Sequence, residues 1–213
     1  MLAKPRLVVV SPDSDLFHPQ VSDASLLRAF RAMRATPMHT YLVLTKRPER
    51  LLDFSRRLVL ADGFRGEYLT TSETRGRPYL PLAGHVRIGV SAENQDLFDA
   101  RLAVLAQVRA ARKFVAVEPM LGPVRLTAKQ AVGLRWVLIS GEEGKGGRVC
   151  QAEWIAALAA DARARKVPAY VNQVGSFFWD GNEPVPVTGT AGTDMAEWPA
   201  AVRIREEFND GDL

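Results

Sequence analysis

The chain has 213 residues, of which 47% are hydrophobic, and it carries a formal net charge of +4. Its single cysteine, Cys150, excludes a disulfide framework, a four-cysteine zinc site and an iron–sulfur cluster held by this chain alone. The histidines are widely separated, so we expect no metal site. No apolar run approaches the ~18 residues that cross a bilayer, and no signal peptide opens the sequence, so we expect a cytoplasmic protein without a membrane partner.

Short apolar runs recur along the chain and have the composition of buried strands. They are continuous rather than alternating, which is typical of parallel strands covered on both faces. The predicted strands are Arg6–Val10, Tyr41–Leu44, His85–Val90, Lys113–Val117, Trp136–Ile139 and Ala169–Val174.

Helical patterns lie between these strands. The predicted helices are Ser22–Arg34, one that begins at Pro48 and includes Leu58 and Val59, one capped by Asn94, and Ala152–Lys166. Strand and helix alternate throughout, so the predicted fold is α/β: an incomplete parallel (β/α) barrel, TIM-barrel-like, with about six strands.

Two segments interrupt this alternation. The Gly- and Pro-rich stretch 61–84 is predicted to be an insertion loop within a partial barrel that spans residues 1–175. Residues 176–213 show neither the strand nor the helix period, and we expect them to form an extension packed on the barrel.

Polar side chains follow each predicted strand at the point where it ends. In parallel βα architectures the carboxyl ends of all strands point to one face, and that face carries the functional site. We therefore predict that these clusters line one pocket. The clusters are Ser11–Asp15, Thr45–Arg50, Ser91–Gln95, Glu118–Pro119, Ser140–Gly144 and Asn172–Gln173.

The residue types in these clusters indicate the chemistry of the pocket. Lys46 and Arg47 supply cationic donors for a phosphate or a carboxylate, and Arg47 is a candidate ligand-binding residue. Glutamates such as Glu118 and Glu142 accept ribose hydroxyls, bind an ammonium group, or act as acid and base. We assign Glu118, Lys46 and Glu142 as candidate catalytic residues. The run SGEEGKGG also supplies backbone N–H groups for an anion, although its spacing is not that of a Walker loop.

Each of these residue types has a structural explanation as well. Asn94 and Ser22 are equally suited to capping helices, and Asp15 to shaping the turn before Phe17. Glu118 follows an apolar strand directly, where an unpaired carboxylate would be costly, and this favours a functional cavity around it.

Several sequence blocks carry a family resemblance. In chain order they are SDLFHPQV, VLTKRPERL, GVSAENQ, VEPMLGPV, WVLISGEEG and MAEWPAAVRIREEF. On these blocks, which extend over nearly the whole chain, the sequence resembles the phage-associated family named after gene products thirty-seven and sixty-eight of bacteriophages. That family is similar to distant members of the radical S-adenosylmethionine (radical SAM) superfamily, which are built on a partial (β/α) barrel.

The resemblance implies a site for S-adenosylmethionine. The residues that fall where superfamily members contact its ribose and carboxylate are Ser91, Glu93, Asn94 and Arg101. Members of the family also carry a Cys-rich segment on the loop of the first strand, which would ligate an iron–sulfur cluster. This sequence has only Cys150, far from that position, so we do not expect it to hold the cluster by itself.

Three functions remain open from the sequence, which does not decide whether the chain is an enzyme. The first is a radical-SAM-like barrel without its own cluster, which binds a nucleotide-like ligand and is completed at an open sheet edge beside its first strand by a Cys-bearing partner chain. The second is a non-catalytic module for nucleotides or nucleic acid, which the loop RGEYLTTSETRGRPY favours. The third is a cluster-independent lyase or hydrolase that uses Glu118 and Lys46.

Overall fold

A computed structural model describes residues 4–57, 59–60, 68–69 and 82–208. No helix in this part of the chain is both long and apolar enough to span a membrane. The strands are β1 (Leu7–Val10), β2 (Thr40–Thr45), β3 (Val59–Leu60), β4 (Tyr68–Leu69), β5 (Val86–Ser91), β6 (Lys113–Val117), β7 (Leu134–Ser140), β8 (Cys150–Gln151), β9 (Ala169–Gln173), β10 (Phe178–Asp180) and β11 (Glu183–Val185). The α-helices are α1 (Asp23–Ala35), α2 (Pro48–Arg57), α3 (Gln95–Leu105), α4 (Ala128–Ala131) and α5 (Ala152–Ala164), and short 3₁₀ helices are formed by Met195–Glu197 and Ala200–Val202.

The main sheet has six strands in the order β1-β2-β5-β6-β7-β9. The pairs β1–β2, β2–β5 and β7–β9 are parallel, and a helix lies in the chain between each strand of the sheet and the next. This arrangement confirms the predicted α/β fold with an incomplete parallel barrel. Each predicted strand corresponds to a strand of the main sheet.

The chain divides into two compact units. The N-terminal unit comprises the described residues of Met1–Val90 together with Val104–Lys113. The C-terminal unit comprises Ser91–Ala103 and the described residues of Phe114–Asp212. The boundary at residue 175 that the sequence suggests stays a prediction.

An aromatic cluster forms the centre of the N-terminal unit. Helix α1 begins where Ser22 Oγ accepts a hydrogen bond from Ser25 N–H at 3.2 Å, so Ser22 is the cap that the sequence allowed. The helix turns Phe30 toward Phe17 and Phe54, and the ring centroids lie 5.1–6.1 Å apart. All three rings are almost completely buried, and aromatic pairs at this separation stabilise a core beyond their burial alone.

Helix α2 begins at Pro48 as predicted but ends at Arg57. The prediction that Val59 continues this helix is wrong, because Val59 belongs to β3 and pairs with Leu69 of β4 in an antiparallel ladder. A β-branched residue suits a strand once a partner strand supplies the hydrogen bonds. Leu58, the other predicted continuation, lies outside the described residues, as do residues 61–67 and 70–81 of the predicted insertion loop.

The C-terminal unit has its own small sheet and a tail that lies along β9. β10 pairs with β11 in antiparallel and with β8 in parallel orientation. Along β9, Val171 N–H donates to the carbonyl of Ile204 at 2.8 Å, and Glu206 N–H donates to the carbonyl of Ala169 at 2.9 Å. The tail therefore satisfies backbone groups at the outer edge of β9.

Removal of Phe30 should test the aromatic cluster. We expect Phe30→Ala to lower the free energy of unfolding by about 3–5 kcal/mol, since it leaves a cavity between two fixed rings. Phe177→Ala is the control, because Phe177 is 43% exposed, and it should change the stability by about 0.5 kcal/mol or less. Urea denaturation measures both values, and equal losses in the two variants would contradict the assignment of the core.

Candidate functional site

In the N-terminal unit, Asp15 organises the loops that follow β1 and β2. Its Oδ1 accepts hydrogen bonds from Phe17 N–H and Thr45 Oγ1, both at 2.8 Å. Its Oδ2 accepts from Lys46 N–H at 3.1 Å and from Arg47 Nη1 at 2.6 Å. Burial alone would raise the pKa of Asp15, but these hydrogen bonds together hold it below its usual value. The turn-shaping role that the sequence left open for Asp15 is confirmed.

Arg47 therefore has a partner inside the protein, and its side chain is 36% exposed. Lys46 lies at the surface with its backbone N–H held by Asp15. Both belong to the N-terminal unit, whereas the other predicted site residues belong to the C-terminal unit. A catalytic role for Lys46 and a ligand-binding role for Arg47 stay predictions.

In the C-terminal unit, backbone hydrogen bonds join the loops that follow β5, β6, β7 and β9. Each bond links the residues after one strand to the end of its neighbour in the sheet or to the loop that follows it, so the polar residues here lie along one continuous edge, which we call the strand-end edge. The bonds run from Leu121 N–H to Glu93 O (2.9 Å), from Met120 N–H to Ser140 O (2.7 Å) and from Gly141 N–H to Gln173 O (3.0 Å).

Arg101 is bound to the loop after β5. Its Nη1 donates to the carbonyl of Ser91 at 2.6 Å and to Glu93 Oε2 at 3.0 Å. The side chains of Arg101 and Glu93 are only 15% and 13% exposed. Removing one partner of such a pair leaves an uncompensated charge with little access to water. The guanidinium predicted to bind a ligand carboxylate is thus held by a carboxylate of the protein.

Asn94 and Ser91 have structural roles at the same place. The Asn94 Oδ1 accepts a hydrogen bond from Leu97 N–H at 3.0 Å and thereby caps α3, which is one of the two roles that the sequence left open. Ser91 is 4% exposed, and its carbonyl is the acceptor for Arg101. Cofactor contacts by these residues stay predictions.

Glu118 lies at the middle of the strand-end edge. It follows β6, which has β5 on one side and β7 on the other. Glu118 is partly exposed. A cis peptide bond joins it to Pro119. The next two residues, Met120 and Leu121, bond to the loops on the two sides. The backbone around Glu118 is therefore held from both directions.

Glu142, which follows β7, is bound by Arg148 of the same loop. Its Oε2 accepts hydrogen bonds from the Arg148 N–H and Nε at 2.8 Å, and its Oε1 accepts from Nη2 at 2.7 Å. The side-chain and backbone hydrogen bonds from Arg148 lower the pKa of Glu142 to about 2. A carboxyl group that is ionised at neutral pH is a poor general acid, so Glu142 holds the loop in this geometry, and its catalytic role stays a prediction.

Some backbone N–H groups of the Gly-rich loop 140–147 are used within the protein. Gly144 N–H donates to the carbonyl of Thr190 at 3.0 Å and to Ser176 Oγ at 2.8 Å. Gly147 N–H donates to the carbonyl of Gly144 at 3.2 Å. The N–H groups of Gly144 and Gly147 are therefore engaged, and an anion site formed by the rest of the loop stays a prediction.

Two further residues of the strand-end edge were not assigned roles from the sequence. Arg148 is 62% exposed at its side chain. The hydrogen bonds that Arg148 donates to Glu142 raise the pKa of Arg148, and the charges of Glu142 and Glu93 add to that effect. Ser140 is completely buried, and its Oγ has no hydrogen-bond partner in the part of the chain that the structure describes. The sequence could have indicated the ion pair, because Arg148 directly follows a Gly-rich loop that has Glu142 near its start. Nothing in the sequence singles out the Ser140 hydroxyl.

Cys150 does not fit an iron–sulfur cluster. It lies in β8 and is completely buried, and this burial raises the pKa of its thiol to about 12. A thiol that stays protonated is a poor metal ligand. Among the described residues, no group of three or more His, Cys, Asp or Glu side chains is placed to hold a metal ion.

We predict that the hydrogen bonds from Arg148 keep the Glu142 carboxylate ionised at low pH. The Glu142 carboxyl group should titrate at about 2 in the folded protein, and Arg148→Ala should return it toward its usual 4.5. Because the folded-state pKa is depressed, the pair stabilises the fold above the unfolded-state pKa, and this contribution is lost as the pH falls toward the folded-state value. Carbon-13 NMR of labelled glutamate side chains measures the titration.

The control for this titration is Arg163→Ala. Arg163 is 64% exposed and pairs with Glu206 at 2.9 Å, so its replacement removes a comparable surface ion pair away from the strand-end edge. It should leave the titration of Glu142 unchanged. A Glu142 pKa that does not move in Arg148→Ala would show that the pair does not form in solution.

Comparison with known proteins identifies the family of the chain. Residues 1–203 match one family model, described as a protein of unknown function (DUF5131). A search of curated proteins found no match. Since the model covers nearly the whole sequence, the chain belongs to the DUF5131 family.

Proposed function

We propose that this chain is a phage-type, radical-SAM-like protein that binds a nucleotide-like ligand at the strand-end edge of its C-terminal unit. The observation that carries the proposal is the line of backbone hydrogen bonds that brings Glu93, Glu118 and Ser140 to one edge. In parallel α/β proteins, ligands bind at the carboxyl ends of the strands. The family resemblance makes S-adenosylmethionine the candidate ligand, and the cytoplasm expected from the sequence is the compartment that we propose.

The side chains at this edge suit an adenosyl ligand. Ribose hydroxyls and an ammonium group require acceptors, and Glu118 supplies a carboxylate at the centre of the edge. When bound, S-adenosylmethionine would supply an activated sulfonium centre. The residues of this chain would bind and orient it. They do not fit an iron–sulfur cluster, so cluster chemistry requires thiolates from a Cys-bearing partner chain.

The edge of β1 is the place where we propose that this partner pairs. β1 is the end strand of the main sheet. Leu7 and Val9 of this strand are 57% and 53% exposed, which is high for apolar residues in a strand. An exposed apolar edge strand favours pairing with a strand of another chain.

The two alternatives have less support. The nucleic-acid-binding module depended on the loop RGEYLTTSETRGRPY, residues 65–79, of which only Tyr68 and Leu69 lie within the described residues. The cluster-independent lyase or hydrolase would use Glu118 and Lys46, and the family resemblance lends it no support. A salt-sensitive gel shift at low ionic strength would favour the former, and turnover abolished by Glu118→Gln the latter.

Calorimetric titration with S-adenosylmethionine tests the ligand proposal, with S-adenosylhomocysteine and adenosine monophosphate as comparators. The wild-type chain should bind an adenosyl ligand saturably. Glu118→Gln should weaken the affinity about ten-fold, since it removes a charged acceptor but keeps the side-chain shape. Glu207→Gln, at an exposed position in the tail, should leave the affinity unchanged. If neither adenosyl ligand produces heat, the proposed ligand is wrong.

Purification of the chain from the source cell tests whether a Cys-bearing partner binds to it. The chain should co-purify with a cysteine-containing protein that carries iron, and Val9→Lys should reduce its recovery about ten-fold or more, because a charge at the centre of β1 opposes strand pairing. Val132→Lys is the control, since Val132 is 78% exposed outside the strand. Purification of the wild-type chain without any iron-containing protein would argue against the partner.

A further inference from the structure

Arg148 presents a cation at the strand-end edge that is only partly used by the protein. Its Nε and Nη2 donate to Glu142, and the guanidinium is 62% exposed. Arginine carries several N–H donors in a planar fork, so the Nη1 side of the group is not required by Glu142. An exposed ion pair of this kind contributes little to stability, so contact with a ligand on its open side does not compromise the fold.

The position of Arg148 brings it toward the centre of the edge. The Arg148 N–H, Nε and Nη2 groups all donate to Glu142, the second residue after β7, and this holds the guanidinium beside the end of that strand. β6 is the neighbour of β7 in the sheet, and Met120, two residues after Glu118, donates its N–H to Ser140 at the end of β7. Arg148 is therefore placed on the same stretch of the edge as Glu118.

Arg101, the cation predicted from the family resemblance, has the opposite properties. Its side chain is 15% exposed, and its Nη1 donates to both Ser91 and Glu93. Little of the Arg101 guanidinium is therefore accessible to a ligand, and withdrawing it from Glu93 would separate a partly buried ion pair, which is costly.

We infer that Arg148, and not Arg101, binds the anionic group of the ligand at the strand-end edge. This inference rests on the proposed function and adds the specificity of that site. The chemical group is a carboxylate or a phosphate, either of which matches the arginine fork. Glu142 holds the guanidinium in place through one side, and the ligand takes the other.

Titration with three adenosine compounds tests this inference. S-adenosylmethionine carries a carboxylate, adenosine monophosphate carries a phosphate, and 5′-methylthioadenosine carries neither group. Arg148→Ala should weaken binding of the anionic compound by about ten-fold or more and leave 5′-methylthioadenosine unchanged, because a charge-assisted hydrogen bond is lost only with the former. Arg148→Lys should restore part of the affinity, since it returns the charge without the fork.

The matched control is Arg163→Ala, which removes an arginine of similar exposure and should change no affinity. A loss confined to S-adenosylmethionine identifies the group as a carboxylate, and a loss confined to adenosine monophosphate identifies it as a phosphate. An equal loss for all three compounds in Arg148→Ala, or no loss, would overturn the inference while the proposed function stands. If the wild-type chain binds none of the compounds, the proposed function fails, and this inference fails with it.

Discussion

The candidate site depends on the hydrogen bonds that cross the carboxyl ends of β5, β6, β7 and β9. Where parallel strands end, the regular ladder stops, yet buried backbone N–H and C=O groups still need partners. Here the loops satisfy one another, with Met120 N–H donating to Ser140 and Leu121 N–H donating to Glu93. Because each loop is the hydrogen-bond partner of its neighbour, none can be displaced without exposing the groups of the next. This constraint brings the polar residues of separate strand ends into one line.

The ion pairs near the strand ends differ in how far their side chains are exposed to solvent. The Glu93–Arg101 pair is at most 15% exposed on either side, which makes it part of the framework. Asp15 resembles it, since both of its oxygens accept hydrogen bonds and its side chain is 13% exposed. The Glu142–Arg148 pair has the same chemistry but exposes most of its arginine. Since a ligand can contact only a guanidinium that is open to water, exposure separates the arginine that can meet a ligand from those that maintain the fold.

The sequence predicted the six strands of the main sheet because each contains a short apolar run, which is typical of strands covered on both faces. The prediction that β1 is buried is wrong, since it is the end strand and its Leu7 and Val9 are 57% and 53% exposed. The sequence did not predict β8, β10 or β11, because strands of two or three residues are too short to show a period. Val59 was misplaced for a related reason, since its strand depends on a partner ten residues away along the chain. Tertiary pairing, which the local sequence does not encode, decided these cases.

The sequence predicted where the candidate site lies, but it did not predict the role of each residue there. The rule that polar clusters follow parallel strands located Glu93, Glu118 and Glu142 correctly at strand ends. Whether a charge serves the protein or a ligand depends on side-chain geometry, and spacing along the chain does not reveal it. Arg101 has the residue type and position expected of a carboxylate ligand, yet its guanidinium is turned onto the Ser91 carbonyl.

The close packing of loop 141–148 explains why an exposed arginine can still be well placed. A Cβ on Gly141 would lie 2.1 Å from the carbonyl oxygen of Val174, so only glycine permits the backbone of this loop to approach the end of β9 so closely. Further along, Gly144 is tied to Thr190 of the tail. These contacts hold both the start and the turn of the loop, and the Arg148 N–H donates to Glu142 at 2.8 Å, so the backbone at Arg148 is held as well. A cation held in this way loses less entropy on binding an anion than one on a flexible loop, and that difference favours ligand contact by Arg148 over an otherwise similar surface arginine.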